Sequence, residues 1–315
     1  MPEPAAVSDS PAQPAVSDLP AQPAVSAGVA HGQSVLDRLI RLLDLERIED
    51  NIYRGFSPKS SPIRVFGGQV AGQALVAAGR TVTPQRRVHS LHAYFIRPGD
   101  PSVPIVYEVD RIRDGRSFTT RRVVAIQHGK AIFSLSASFQ IDEPGVEHAE
   151  PMPQVPGPEE LPTFSERIAP YAEQFGTWGR FPRPIDVRYV DDPPWVSREH
   201  GPREARSRVW MRADGTLPDD DLVHVCVLAY ASDMTLLDSV LARHGVAWAL
   251  DNVRGASLDH AMWFHRPFRA DEWVLYDCSS PSASGGRGLA TGRFFDRGGR
   301  LLTTVVQEGL LRIAG

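Results

Sequence analysis

Ser257-Leu-Asp-His-Ala-Met-Trp-Phe-His-Arg-Pro267 resembles an earlier stretch of the same chain, Ser90-Leu-His-Ala-Tyr-Phe-Ile-Arg-Pro98. The likeness has a gap, but it extends further: Ser90 stands 50 residues before Gln140, and Ser257 stands 50 before Gln307. Self-similarity of this kind points to a structural unit used twice. Both stretches read as strands, and the runs around them decide the architecture.

In the first half, Val35, Leu36, Leu39, Ile40, Leu42 and Leu43 follow helical spacing from Ser34, with Arg38 and Arg41 on the other face. Asn51 to Ser57 reads as a short strand, and Pro58 and Pro62 flank a turn. Phe66 to Val82 is a Gly/Ala-rich helix, with Val70, Ala74, Leu75 and Ala78 as an inner stripe; so many small residues suggest close packing onto something flat. Four strands follow, Val88–Ile96, Ile105–Ile112, Ser117–Gln127 and Ala131–Gln140, with hairpin turns at Asp114-Gly115 and His128-Gly129. In the second half, Pro184–Val190, Arg206–Met211 and Leu222–Tyr230 read as strands, and Ser232-Asp233 as the start of a helix that Gly245 stops. Ala256–Phe264, Trp273–Ser279, Gly288–Phe294 and Leu301–Leu311 complete the set, with a hairpin turn at residues 296–299. Helix followed by antiparallel strands, twice, is an α+β fold by duplication.

Residues 1–33 carry the repeat Pro-Ala-Gln-Pro-Ala-Val-Ser at 11–17 and 20–26. With almost no large apolar side chain, this tail cannot offset the entropy of ordering and is expected to be disordered. The halves are assigned to residues 34–145 and 181–315. Between them the linker, 146–180, is the downstream part of a run in which Pro144, Pro151, Pro153, Pro156, Pro158 and Pro162 prevent continuous helix or central strand.

The net charge of -4 argues against nucleic acid as a main partner. No stretch approaches the roughly 18 apolar residues of a membrane span, and the N-terminus, with Glu3 and Asp9, does not read as a secretory signal. Cys226 and Cys278 sit in apolar strand-like runs and are expected to be buried thiols, which fits a cytoplasmic protein. No Gly-x-Ser-x-Gly elbow and no Walker loop is present. The glycines at 286, 288 and 292 are wrongly spaced for a dinucleotide fingerprint and open a strand. His260 and His265 lack companions at metal spacing, so neither metal nor cofactor is expected.

Asp233 stands out. At the start of a helix it would be an ordinary first-turn acid. The same geometry would also set a carboxylate at the positive end of a helix dipole, ready to take a proton, with free N–H groups beside it for a developing oxyanion.

The segments Val65-Phe-Gly-Gly-Gln-Val-Ala-Gly-Gln-Ala74, His89-Ser-Leu-His-Ala-Tyr-Phe-Ile-Arg-Pro-Gly-Asp100 and Arg113-Asp-Gly-Arg-Ser-Phe118 resemble the N-terminal half of type II (TesB-like) acyl-CoA thioesterases. Leu228-Ala-Tyr-Ala-Ser-Asp233, Leu258-Asp-His-Ala-Met-Trp-Phe-His-Arg-Pro-Phe268 and Gln307-Glu-Gly309 resemble the C-terminal half. The resemblance implies a tandem hotdog fold, two long helices each wrapped by an antiparallel sheet. It implies hydrolysis of acyl-CoA and assembly into dimers or larger. The family's Asp, Thr or Ser, and Gln fall on Asp233, Ser257 and Gln307, with Ser257 where many members have Thr. Water activated by Asp233 would attack directly. A covalent Ser257, an enoyl-CoA hydratase using Asp259 and His260, and an acyl-CoA binder without catalysis are the alternatives. Gly67, Gly68 and Gln69 would border the acyl channel or serve close packing; Arg116 and Arg287 are left outside the site.

Overall fold

The computed structural model describes residues 31–58, 64–176, 183–248 and 250–313. The repeat-bearing tail up to residue 30, Pro62 and the end of the linker lie outside them. The first half runs α1 (Gln33–Leu43), β1 (Glu46–Glu49), β2 (Ile52–Gly55), α2 (Gly67–Gly79), β3 (Arg86–Phe95), β4 (Ile105–Asp114), β5 (Phe118–Gln127) and β6 (Lys130–Ile141). Two short helices in the linker, α3 (Phe164–Ile168) and α4 (Ala172–Phe175), lead to β7 (Ile185–Tyr189), α5 (Pro194–Ser197), β8 (Arg206–Ala213), α6 (Asp221–Ser232) and α7 (Asp238–His244). The chain ends in β9 (Val253–Ser257), β10 (Asp259–Phe264), β11 (Val274–Ser284), β12 (Arg287–Asp296) and β13 (Leu301–Ile313).

Among the described residues, all strands join one 13-stranded sheet in the order β1-β2-β4-β5-β6-β3-β10-β13-β12-β11-β8-β7, with β9 against β13, and every pairing is antiparallel. Read from each outer edge inward, the halves have the same strand order, and they meet where β3 pairs with β10, Tyr94 facing Asp259 and Ser90 facing Trp263. The fold is the α+β tandem hotdog expected from the resemblance. Turn chemistry sets its hairpins: His128 and Gly129 both take positive φ, 50° and 69°, the mirror-image turn that matches strand twist.

The reading of Leu222–Tyr230 as a strand is wrong. Those residues belong to α6, a 12-residue helix capped by Asp220, whose side chain accepts from the Leu222 N–H. Cys226 is therefore a buried thiol on a helix; Cys278 is buried on β11. The β-branched run Val223, Val225, Val227 imitates a strand. Its helical period is hidden because α6 packs against both the first-half helix and the second-half strands, and a helix apolar on all sides shows no stripe.

The Gly/Ala-rich helix α2 is buried from Gly68 to Ala78. One side meets its own sheet, and the other meets α6 running antiparallel. A Cβ on Gly68 would strike the Tyr230 carbonyl, and one on Gly72 would lie 3.2 Å from the Cys226 carbonyl. The glycine spacing thus permits helix-on-helix contact rather than only the flat sheet packing that the small residues suggested. The linker is fastened as well: Met152, Val155 and Leu161 cover Trp210, Leu275 and Phe295 on the outer face of the second-half sheet, and Trp210 Nε1 donates to the Pro156 carbonyl at 2.9 Å.

Candidate active site

Asp233, Ser257 and Gln307 come together at the end of α6. Asp233 is the residue after that helix, Ser257 the last residue of β9, and Gln307 lies in the middle of β13. The break after Ser257 has a visible cause. Leu258 donates its N–H to the Glu308 carbonyl and accepts from the Phe95 N–H, both at 2.9 Å, so the chain switches there from β13 alone to pairing with β3 as well. Gln307 Nε2 donates to Asp233 Oδ1 at 2.9 Å and to Ser257 Oγ at 2.6 Å, and Ser257 Oγ donates to Asp233 Oδ1 at 3.1 Å. Gln307 is buried; Asp233 and Ser257 are half-buried.

Asp233 does not open a helix. It caps the C-terminal end of α6 with φ -83° and ψ -2°, and α7 begins only at Asp238. The dipole of α6 therefore opposes a carboxylate there. The compensating positive end comes from the other half: Asp233 Oδ2 lies against the first turn of α2, and a Cβ on Gly67 would sit only 2.6 Å from it and 2.9 Å from the Phe95 ring. The first N–H groups of a helix have no partner inside it. The site thus sets a carboxylate from the second half against the helix start of the first. Gly67 and Gly68 serve close approach, and the body they approach is α6 and Asp233.

Behind the three residues lies a buried layer that the sequence did not reveal. His260 Nδ1 is 2.9 Å from Gln307 Oε1, and His260 Nε2 is 2.8 Å from Ser232 Oγ. Ser232 Oγ also lies within reach of the Ala229 carbonyl, at 2.9 Å, and the Ser232 carbonyl accepts from the Tyr276 hydroxyl at 3.1 Å. Burial holds His260 below the usual imidazole range, against the pull of Asp233. His260 is a strand residue, as expected, but it is also the partner of Gln307. A signal was available in the alternation of β10: His260 is even in phase with buried Met262 and Phe264 while Asp259 points the other way, accepting from the Glu308 N–H at 2.7 Å. Asp259 and His260 are therefore not a pair. Arg287, left outside the site, binds Glu308 at 2.9 Å.

The first half does not hold a matching set. Phe95 faces Phe133 across β3 and β6, as Phe264 faces Thr303 across β10 and β13. Counting from these anchors, Val88, Leu91 and Ala137 stand where the second half has Ser257, His260 and Gln307. Ser90 and Gln140, matched to the site by their spacing, are out of register: Ser90 faces Ser138, Gln140 faces Arg87, and the Gln140 amide donates to Glu143 at 3.3 Å. The bulge between Val88 and Ser90 and the break at Leu258 fall at the same place in the two halves, so the strands stay in step and the slip lies in the sequence likeness alone. Opposite Ala137 is Arg121, buried, with Nε on Thr81 Oγ1 at 2.8 Å; opposite Gln307 is only Ala290.

A family model described as "Acyl-CoA thioesterase" matches residues 180–310, and one described as "Acyl-CoA thioesterase N-terminal domain" matches residues 57–140. The chain is 43% identical to acyl-coenzyme A thioesterase 8 of Mus musculus, over 86% of this chain and 88% of that protein. It is 40% identical to acyl-CoA thioesterase 2 of Haemophilus influenzae, over 89% and 99%. Among solved structures, an acyl-CoA thioesterase II (TesB2) from Mycobacterium marinum is similar at 47% identity, with a TM-score of 0.72 over 88% of this chain and 98% of that one.

Proposed function

The chain belongs to the acyl-CoA thioesterase family, and from that premise we propose that it hydrolyses fatty acyl-CoA by direct attack of water activated by Asp233. One observation carries the mechanism: residues 24, 50 and 74 positions apart in the chain converge on a single carboxylate oxygen. A water held against Asp233, Ser257 and Gln307 gives a proton to Asp233 as its oxygen adds to the thioester carbon. Ser257 and Gln307 contribute by orienting the water and the carboxylate. The carbonyl oxygen becomes an oxyanion, and the free N–H groups at the start of α2 stabilise it. The C–S bond then breaks, the acid leaves, and the proton on Asp233 passes to the departing thiolate of CoA. The reading extends to a cytoplasmic enzyme of fatty acid metabolism that works as a homo-oligomer.

Two features favour this over the alternatives. The base is retained, which a pure binder would not need. Ser257 has Asp233 and Gln307, not an imidazole, as its partners, since both ring nitrogens of His260 are engaged with Gln307 and Ser232. The test is thiol release from acyl-CoA. Asp233→Asn should fold normally and lose about 10²–10⁴ in kcat. Ser257→Ala and Gln307→Ala should each lower kcat more than they raise KM, and together cost less than their product. Near-normal turnover by a folded Asp233→Asn variant would falsify the mechanism, and an acyl adduct on Ser257 in intact-mass spectra would replace it with the covalent one.

A further inference from the structure

The Gln307 amide can do its work in only one of two orientations. Its two ends have nearly the same shape, so packing alone does not choose between them. With Nε2 toward Asp233 and Ser257, both contacts are donor to acceptor, at 2.9 and 2.6 Å. Turned over, Oε1 would face the Asp233 carboxylate. While Asp233 is charged it selects the correct orientation by itself. Once it has taken a proton from water, that selection disappears, because a carboxylic acid can donate to Oε1. A second device must then hold the amide.

We propose that His260 is that device, a positioning residue whose Nδ1–H grips Gln307 Oε1 and keeps the amide N–H toward Asp233 and Ser257. The contact is 2.9 Å and lies between two buried side chains. A reversed amide would set N–H against N–H. The far side of the ring is fixed too: Ser232 Oγ is 2.8 Å from Nε2 and gives that nitrogen its one hydroxyl proton in place of the Ala229 carbonyl, and Ser232 is the residue before Asp233. The network is therefore a closed ring, Asp233 to Gln307 to His260 to Ser232 and back to Asp233 through one peptide bond. Tyr276 pins it from outside through the Ser232 carbonyl, at 3.1 Å. One pair of residues thus sets both the amide and the backbone that carries the carboxylate. Burial, which disfavours a second proton on the ring, agrees with a neutral His260 protonated at Nδ1. In the first half Leu91 and Ala137 occupy the corresponding places, so the ring belongs to the second half alone.

This rests on the hydrolytic reading above, and the test separates the two. Asn places a nitrogen near the position of Nδ1, and Gln places one near Nε2. His260→Asn should retain kcat within a few-fold. His260→Gln should lose about 10–100-fold in kcat, the range seen for residues that orient a primary ligand, with KM within about twofold. In a Gln307→Ala background, His260→Gln should have almost no further effect. Equal losses in the Asn and Gln variants, or full additivity with Gln307→Ala, would mean that His260 acts only through its bulk. Normal kcat in a folded His260→Gln variant, with Asp233→Asn inactive, would sink this inference and leave the hydrolytic reading standing. A readout independent of turnover is long-range proton–nitrogen correlation in the wild-type protein. It should show the His260 ring proton on Nδ1, and a proton on Nε2 alone would overturn the assignment.

Discussion

Asp238 shows how far burial can move a single group. It is fully enclosed one turn beyond the site, with its carboxyl bonded to the Tyr189 hydroxyl and to Trp248 Nε1, both at 3.2 Å, and desolvation pushes it up to about 7. In the unfolded chain it ionises near the ordinary 3.8. As pH rises from about 4 to about 7 the unfolded state releases this proton first, so Asp238 stabilises the fold at low pH and loses that contribution through the interval. Asn is a fair copy of the neutral acid, accepting from Trp248 and donating to Tyr189. The melting temperature of the wild type relative to Asp238→Asn should therefore fall by a few degrees between pH 4.5 and 8. A difference that stays constant with pH would show that Asp238 is ionised throughout. At this scale, legibility depended on how local a residue's partners are. Asp233, Ser257 and Gln307 were readable because the motifs around them resemble a family. His260 was legible only as an inward-facing strand residue from the alternation of β10, because its partners lie 28 and 47 residues away and nothing in Asp-His-Ala-Met announces them.

Elements bounded by turn chemistry were legible, and those bounded by packing were not. The hairpins at Asp114-Gly115 and His128-Gly129, the stop at Gly245 with φ 64°, and most of the strands could be placed from local signals. The helix α6 was missed because its neighbours cover every side, although Asp220 was a readable N-cap and its length favoured helix over strand. That error carried the dipole argument to the wrong end of the wrong helix. The charge complementarity is real but crosses between halves, from the N-terminus of α2 to the C-terminus of α6. Two adjacent glycines separate its parts. Gly67→Ala would push a methyl into Asp233 Oδ2 and the Phe95 ring. It should lower kcat by about tenfold or more, since small misplacements of a catalytic group are costly. Gly68→Ala would meet the Tyr230 main chain, which cannot swing aside, and should cost roughly 1–3 kcal/mol of stability. Steady-state kinetics and thermal melts on the two variants should rank them in opposite orders. If both altered only stability, the start of α2 would be scaffolding and not part of the site.

On the scale of the whole molecule, the halves share an outline and differ in content. The duplication was legible in the two Arg-Pro motifs; the asymmetry was legible only in part, because spacing suggested Ser90 and Gln140 where register gives Val88 and Ala137. Ser90→Ala should accordingly keep near-normal turnover, and a single competent site per chain should appear on titration with a non-hydrolysable acyl-CoA analogue. Two competent sites would mean that the first half also works, and loss of turnover in a folded Ser90→Ala variant with Ser257→Ala still active would reverse the roles of the halves. The continuous sheet has one more implication. Two identical subunits meeting edge to edge would each have to encode both faces of the seam, and their site would fall apart on dilution. Here the seam at β3 and β10 lies within one chain, so Gly67 and Asp233 face each other at any protein concentration. Each copy is also free to mutate without imposing the same change on its twin. One could keep the bare backbone and bury an arginine, and the other could keep the acid. Inherited symmetry has become division of labour.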